Sequence, residues 1–295
     1  MRPLVLCVAL LLAVATSPSA VPSAVPQLNI EAPPELAKEV ARFQSFDRSR
    51  LLGVMQLLRI TDPGPAIRVV LASETSDWAR QVPSSTAGFA VAEDNLVVLF
   101  PSRSPTYPQD SLEDVLHHEV AHVLIARAAD GRPVPRWFNE GLAMALERTW
   151  GLQDEARLLQ ELTFVEPTSL DDVDRLFDGD EGARTRAYTL AGAFVRDLMR
   201  EHGSSAPGDI LARMPGGTWF DDAFVQVIGH RVSEEETAFW ERHRFWNRWG
   251  PFFTTTTALW MGVTVLALVA IVRRRQKSAA LRQRWESETE TEDSQ

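Results

Sequence analysis

Apolar residues are concentrated at both ends of the chain, and mixed patterns fill the centre. At the amino-terminal end, residues 4–15 are apolar, follow Arg2, and are succeeded by small residues up to Ala20. A short positive region, an apolar stretch and a small-residue cleavage site are typical of a secretory signal peptide. We therefore expect residues 1–20 to be a signal that is removed on export, with a retained membrane anchor as the less favoured alternative because the stretch is short.

At the other end, residues 252–272 form a run of 21 residues without a charged side chain. As a helix this run would be about 31 Å long, enough for a hydrocarbon core of about 30 Å. The cations Arg273, Arg274 and Arg275 follow at once, which places this side in the cytoplasm by the positive-inside rule. The pattern predicts a single-pass protein of the cell membrane that contacts the lipid bilayer through a helix at 252–272. The tail at 273–295 would then be cytoplasmic, and a domain at 21–251 would be periplasmic or extracellular.

The centre of the chain alternates between helical and extended patterns. Residues 35–60 carry apolar side chains at helical spacing and predict one or two helices. Short apolar runs at 67–72 and 96–100 predict strands, and residues 88–91 are expected to pair with the latter. From Leu112 onward the pattern is mostly helical. We therefore expect an α+β fold, with a few short strands followed by a mainly helical part.

Composition narrows the classes of function. The chain has 40 acidic and 30 basic residues, a formal net charge of -10, which argues against nucleic-acid binding. Its single cysteine, Cys7, excludes an intrachain disulfide and a zinc site built from several thiolates. If the protein binds a metal, histidine and carboxylate side chains must hold it.

A metal-binding pattern occurs in the first helix after residue 110. His118 and His122 frame the pattern His-Glu-x-x-His, and residues four apart lie about 40° apart around a helix axis. Both imidazoles can therefore reach one ion, while Glu119 lies on the adjoining face, where a general base that activates water belongs. His117 points elsewhere, and we expect it to be a partly exposed helix residue, with a role behind the metal ligands as the alternative.

A third ligand is expected downstream, because a catalytic zinc site has three protein ligands and one open position. Residues 130–133, Asp-Gly-Arg-Pro, predict a turn, after which a second helix would bring Glu140 to the metal. A helix amino-terminal acid that binds no metal is the alternative for Glu140.

These two segments, His118 to His122 and Asn139-Glu140-Gly141, resemble the gluzincin zinc metallopeptidases, and most of all the peptidase MA-like family. The resemblance covers about 67–240 and implies a gluzincin-type zincin domain with a small mixed sheet and a mainly helical active-site half. By the same resemblance, the domain binds one Zn²⁺ per chain through His118, His122 and Glu140, with Glu119 as the general base. Related enzymes also stabilise the oxyanion with a downstream Tyr or His side chain. By that resemblance Tyr188 is the candidate catalytic donor, and His202 and His230 are the alternatives.

The sequence thus predicts a membrane-anchored zinc metallopeptidase that cleaves a peptide or protein substrate outside the cytoplasm. Strand 96–100 would form the sheet edge beside the zinc, where an extended substrate can add as a further strand, although an internal strand is comparably favoured. Two alternatives for the function remain open: a catalytically inactive zincin-fold module for binding or assembly, and a zinc amidase that acts on cell-wall or small amide substrates.

Overall fold

The computed structural model describes residues 24–44, 46–105, 107–147, 151–164, 168–253, 260–261, 263–271 and 273–274. The signal peptide predicted at 1–20 and most of the tail predicted at 273–295 lie outside these residues. The strands are β1 (Leu28–Glu31), β2 (Ile67–Leu71), β3 (Gly88–Val91) and β4 (Leu96–Leu99). The helices are α1 (Ala37–Gln44), α2 (Ser49–Leu57), α3 (Asp77–Gln81), α4 (Leu112–Ala128), α5 (Arg136–Glu147), α6 (Leu152–Phe164), α7 (Leu170–Leu176), α8 (Glu181–His202), α9 (Ala206–Leu211), α10 (Phe220–Ile228) and α11 (Val232–Phe253).

The chain divides into two compact units. The first comprises Met1–Arg148 and Val195–Arg231, and the second comprises Thr149–Phe194 and Val232–Gln295. The first unit therefore holds the sheet, helices α1 to α5, and helices α9 and α10. The second holds α6, α7, most of α8, and α11. The range predicted as one external domain, 21–251, contains parts of both units.

The sheet of the first unit is small and mixed, in the strand order β1-β2-β4-β3. Strands β1, β2 and β4 are parallel, whereas β3 runs antiparallel to β4 and pairs Ala90 with Val97. The predicted pairing of 88–91 with 96–100 is therefore confirmed. The connection is a single 3-10 turn that ends at Asn95, whose φ of 51° is left-handed, a conformation that Asn adopts more readily than most residues.

Strand β4 is internal, since β2 and β3 flank it. The prediction that residues 96–100 form the sheet edge is wrong, and β3 is the edge strand instead. The physical reason is visible in the burial: all four residues of β4 are buried, as in a strand covered on both faces, whereas those of β3 are half-buried.

Helix α4 packs against this end of the sheet, on β3 and β4. Its contact with β3 is close at Gly88, where a Cβ atom would lie 2.7 Å from a methyl group of Val115. On the chain before the sheet, α1 and α2 confirm the helices predicted within 35–60, and they bury Phe43, Leu51 and Met55 in the core. The first unit thus fixes α4 between the sheet and the surrounding helices.

The second unit is helical in its described residues, and α6 packs along α11. The ring of Phe239 on α11 lies 5.5 Å from that of Phe194, measured between centroids. The indole nitrogen of Trp240 donates to the main-chain oxygen of Thr168 at 3.3 Å. These contacts tie α11 to the segments before α7 and to α8.

The predicted transmembrane helix is not borne out. Among the described residues, no helix combines the length and the apolar character that crossing a membrane requires. The helix that reaches the range 252–272 is α11, which ends at Phe253 and carries charged residues such as Glu234, Glu235 and Arg242. Of 252–272, the structure describes residues 252–253, 260–261 and 263–271, all helical. The prediction of a transmembrane helix at 252–272 is therefore wrong.

Candidate metal centre

Helix α4 begins with a side-chain cap. The hydroxyl of Ser111 accepts a hydrogen bond from the Asp114 N–H at 3.2 Å, and Glu113 and Asp114 place negative charge in the first turn. Both features stabilise a helix amino terminus. The cap fixes where α4 begins, and with it the position of the His118 and His122 side chains one turn apart further along.

A tight turn joins α4 to α5. Asp130 and Gly131 both have left-handed backbone conformations, with φ of 55° and 69°, so the chain reverses directly after α4. Helix α5 then packs against α4. The turn predicted at 130–133 and the following helix are confirmed, and α5 brings Glu140 to the histidines.

The three side chains expected to bind a metal converge. The Nε2 atoms of His118 and His122 lie 3.3 and 3.5 Å from the same carboxylate oxygen of Glu140. The two imidazole rings are 4.6 Å apart between centroids and nearly perpendicular, at 88°. One ligand atom from each of the three residues lies within 4.8 Å of the others, so the group is able to hold a metal ion.

The spacing of these atoms fits zinc. In a tetrahedral zinc site with bonds of about 2.0–2.1 Å, neighbouring ligand atoms are about 3.3 Å apart. The two observed nitrogen-to-oxygen distances, 3.3 and 3.5 Å, are close to that value. Two neutral imidazoles with one carboxylate are also a usual ligand set of catalytic zinc, so the residues present fit the ion.

The electrostatics of the group also favour a cation. Burial alone would lower the pKa of His118, but its hydrogen bonds with Glu140 and Glu147 outweigh burial and raise the pKa to about 10. At His122, too, burial lowers the pKa and the nearby carboxylate of Glu140 raises it, and the net result is a raised pKa. For Glu140, the histidines outweigh burial and hold its pKa far below the usual range. The carboxylates thus stabilise positive charge at this place, and a divalent cation would supply it.

Two further side chains contact the Nδ1 atoms of the histidines, the ring nitrogens that do not face Glu140. The Nδ1 atom of His118 lies 3.0 Å from a carboxylate oxygen of Glu147, and Nδ1 of His122 lies 3.0 Å from the amide oxygen of Asn139. Because both oxygens accept a hydrogen bond from an Nδ1–H group, they favour the tautomer in which Nε2 carries no proton and is free to bind a metal.

Sequence reasoning missed both of these acceptors. Asn139 directly precedes Glu140, and Glu147 follows Glu140 by two helical turns, which places it on the same face of α5. That spacing is a signal in the sequence from which Glu147 could have been predicted to lie near the metal site. Periodicity does not show, however, that its carboxylate meets His118, and only the tertiary contact reveals this.

Glu119, the predicted general base, lies in the same electrostatic environment. Its side chain is buried, and burial raises its pKa, although the nearby charges of His122 and His118 act in the opposite direction. A carboxylate with a raised pKa is a stronger base toward a neutral donor such as water. Its role as general base stays a prediction.

His117 departs from its prediction. Instead of being partly exposed, its side chain is 0% exposed, and neither ring nitrogen forms a hydrogen bond among the described residues. The ring of Phe46 lies 6.3 Å away, measured between centroids. Burial, together with the charges of Arg50 and His118, lowers the pKa of His117 to about 4. His117 is thus a neutral residue of the core.

The candidate oxyanion donors lie elsewhere in the chain. Tyr188 is a half-buried residue of α8 in the second unit, where its ring packs edge-on against Phe177 at 5.1 Å between centroids. Its role as donor stays a prediction. The alternatives His202 and His230, in the first unit, have rings 5.8 Å apart, and neither belongs to the group around Glu140.

Comparisons of the chain with protein-family models, with curated proteins and with solved structures give no match. The resemblance to the gluzincin metallopeptidases therefore rests on the two segments of sequence named above, and the functional argument rests on the geometry of this site.

Proposed function

We propose that this protein is a zinc-dependent hydrolase that cleaves peptide bonds, with one zinc ion held by His118, His122 and Glu140. The observation that carries the proposal is the convergence of both Nε2 atoms on one oxygen of Glu140, at distances that match a tetrahedral zinc site. The signal-peptide pattern at 1–20 supports an activity outside the cytoplasm.

The ion, when bound, would act as a Lewis acid that polarises a substrate carbonyl and lowers the pKa of a water molecule. Glu119 accepts the proton of the attacking water and returns it to the leaving amine. Glu147 and Asn139 hold the two imidazoles in one orientation through their Nδ1 atoms. The side chains of this chain therefore account for binding, orientation and proton transfer.

The sheet favours a peptide as the substrate. Strand β3 is an edge strand, and its outer side pairs with no other strand among the described residues. It also packs against α4, the helix that carries Glu119. An extended peptide can form main-chain hydrogen bonds along such an edge, as in other cases of strand addition. A small amide has no extended backbone with which to use this edge.

Substitution of Glu119 tests the proposal. We expect Glu119→Gln to keep zinc, because Glu119 is not among the ligands, but to reduce peptide hydrolysis by roughly 10²–10⁴-fold, the usual contribution of a general base. Metal content by elemental analysis and turnover of a peptide library are the measurements. Glu113→Gln is the matched control: Glu113 lies on the same helix, pairs with Arg42, and has no part in the proposed chemistry.

Each result of that experiment separates the alternatives. A protein that takes up no zinc contradicts the proposal outright. Zinc binding without hydrolysis of any peptide or amide would identify a non-catalytic module, and hydrolysis restricted to small amides would identify an amidase. The non-catalytic reading gives no reason to bury the carboxylate of Glu119, which ligates nothing, next to the histidines.

A further inference from the structure

One arginine from α2 contacts both helices of the metal centre. The Nη1 atom of Arg50 lies 3.9 Å from a carboxylate oxygen of Asp114, in the first turn of α4. Its Nη2 atom donates a hydrogen bond to the main-chain oxygen of Glu147, the last residue of α5. A single guanidinium group therefore joins the start of the helix that carries the histidines to the end of the helix that carries Glu140.

Both contacts of Arg50 are favourable for physical reasons. The last carbonyl groups of a helix have no partner within it, and a cation at that end also interacts well with the helix dipole. At the other end of the bridge, Asp114 supplies an opposite charge. The side chain of Arg50 is 41% exposed, so its replacement removes these contacts without opening the core.

Glu147 transmits this contact to the metal site. Its carboxylate is fully buried and lies 3.0 Å from His118 Nδ1 through one oxygen. The other oxygen, Oε1, is buried and forms no hydrogen bond among the described residues. The carboxylate therefore has little that holds it in place besides His118 and the backbone of its own residue, and Arg50 binds that backbone.

We propose that Arg50 is a positioning residue of the metal centre, which acts through Glu147 on the orientation of His118. The inference rests on the proposed metal site and extends it to a residue that touches neither metal nor substrate. Without Arg50, the end of α5 is released from α2, the Glu147 carboxylate loses its fixed position, and His118 Nε2 is no longer held toward Glu140.

The first test measures metal affinity, which does not depend on activity. We expect Arg50→Met to weaken the binding of Zn²⁺ by about 10-fold, the lower end of the effect of groups that orient metal ligands. Arg50→Lys should restore part of the loss, because an ammonium group can still donate to the Glu147 carbonyl. Binding of Co²⁺, followed by its visible absorption, reports the geometry of the ligands directly.

The second test asks whether the effect passes through Glu147. Glu147→Gln should weaken metal binding by itself, since a neutral amide is a poorer acceptor for the His118 N–H than a carboxylate. If Arg50 acts through that carboxylate, the double variant Arg50→Met with Glu147→Gln binds no more weakly than Glu147→Gln alone. Additive losses in such a cycle would overturn the proposal.

Arg42→Met is the matched control. Arg42 is an exposed arginine of α1 that pairs with Glu113, in the same first turn of α4 as Asp114. We expect this variant to bind Zn²⁺ as the unaltered protein does, and an equal loss in both variants would show only a general loosening of α4. Circular dichroism confirms that each variant is folded.

The outcomes distinguish this proposal from the proposed hydrolase. If the protein binds zinc and Arg50→Met changes neither the affinity nor the Co²⁺ spectrum, the role of Arg50 is refuted while the hydrolase stands. If Arg50→Met weakens binding but no substrate is cleaved, the positioning role holds and the hydrolase does not. A protein that binds no zinc refutes both.

Discussion

The side chain of His117 has no solvent exposure, although it is next to a predicted metal ligand in the sequence. Helical periodicity correctly separates its direction from that of His118 and His122. Periodicity does not show which residues surround the His117 side chain. The ring of Phe46, which comes from a segment distant in the sequence, lies beside it. Periodicity therefore predicted correctly that His118 and His122 share one face of the helix, but it did not predict the burial of His117.

The stability of the folded protein should depend on pH through this residue. The pKa of His117 is lowered to about 4 in the folded state, from 6.5 for an unperturbed histidine, so the unfolded chain binds the proton more readily. Its contribution to stability is complete above pH 6.5 and is lost as the pH falls toward 4, by about 1.4 kcal/mol per unit. We expect His117→Leu to remove this loss. Between pH 7 and pH 5, the free energy of unfolding of the unaltered protein should therefore fall by about 2 kcal/mol more than that of the variant. Urea unfolding of both metal-free proteins at the two pH values measures the difference, and equal losses would contradict the prediction.

At the scale of elements, local patterns predicted the helices and strands around the site, because spacing along the chain is what creates a buried face. The sequence predicted the helices within 35–60, the pairing of β3 with β4, and the turn between α4 and α5. It did not establish which strand is at the edge. That property depends on the neighbours of β4, and one of them, β2, is separated from it by the whole of α3 and β3.

Two helical glycines give opposite predictions at this scale. A Cβ atom at Gly208, in α9, would overlap the carbonyl oxygen of Leu57 at the end of α2, whereas one at Gly53, within α2, would meet no atom within 4 Å. We expect Gly208→Ala to destabilise the protein by about 3 kcal/mol, because a main-chain atom must move. Gly53→Ala should stabilise it by about 0.5–1 kcal/mol through helix propensity. Denaturant midpoints compare the two, and similar values would show that α2 and α9 do not pack so closely.

At the scale of the whole molecule, the proposed zinc ion links stability to metal concentration. The three ligands come from α4 and α5, so the ion binds only when these helices are folded together. Free zinc at 100 times its dissociation constant should raise the free energy of unfolding by about 2.7 kcal/mol, and a chelator should remove this gain. Thermal unfolding measures the effect, and hydrogen exchange should show the largest protection in α4 and α5.

The controls for this prediction come from the site. Glu119→Gln should keep the stabilisation by zinc, since that residue is proposed as the base and not as a ligand. Glu140→Gln should lose most of it, because the amide is a much weaker ligand than the carboxylate. Zinc stabilisation that survives Glu140→Gln would show that the ion binds elsewhere.

Hydropathy along the chain predicted the membrane topology less well than periodicity predicted the helices and strands around the site. The apolar run at 252–272 predicted a membrane span, but no helix among the described residues has both the length and the apolar character required. Helix α11, which reaches this range with its last two residues, carries charged residues such as Glu234, Glu235 and Arg242.

The sequence by itself determined the elements and the candidate ligands, because His118 and His122 share one helix and their spacing alone places them on one face. Only the tertiary structure decided that Glu140 lies beside both histidines and that Glu147 and Asn139 contact their Nδ1 atoms. It also decided that Arg50 joins α4 to α5. The physical reason is that periodicity is a property of neighbours along the chain. Contacts between α2, α4 and α5 depend instead on how separate elements pack.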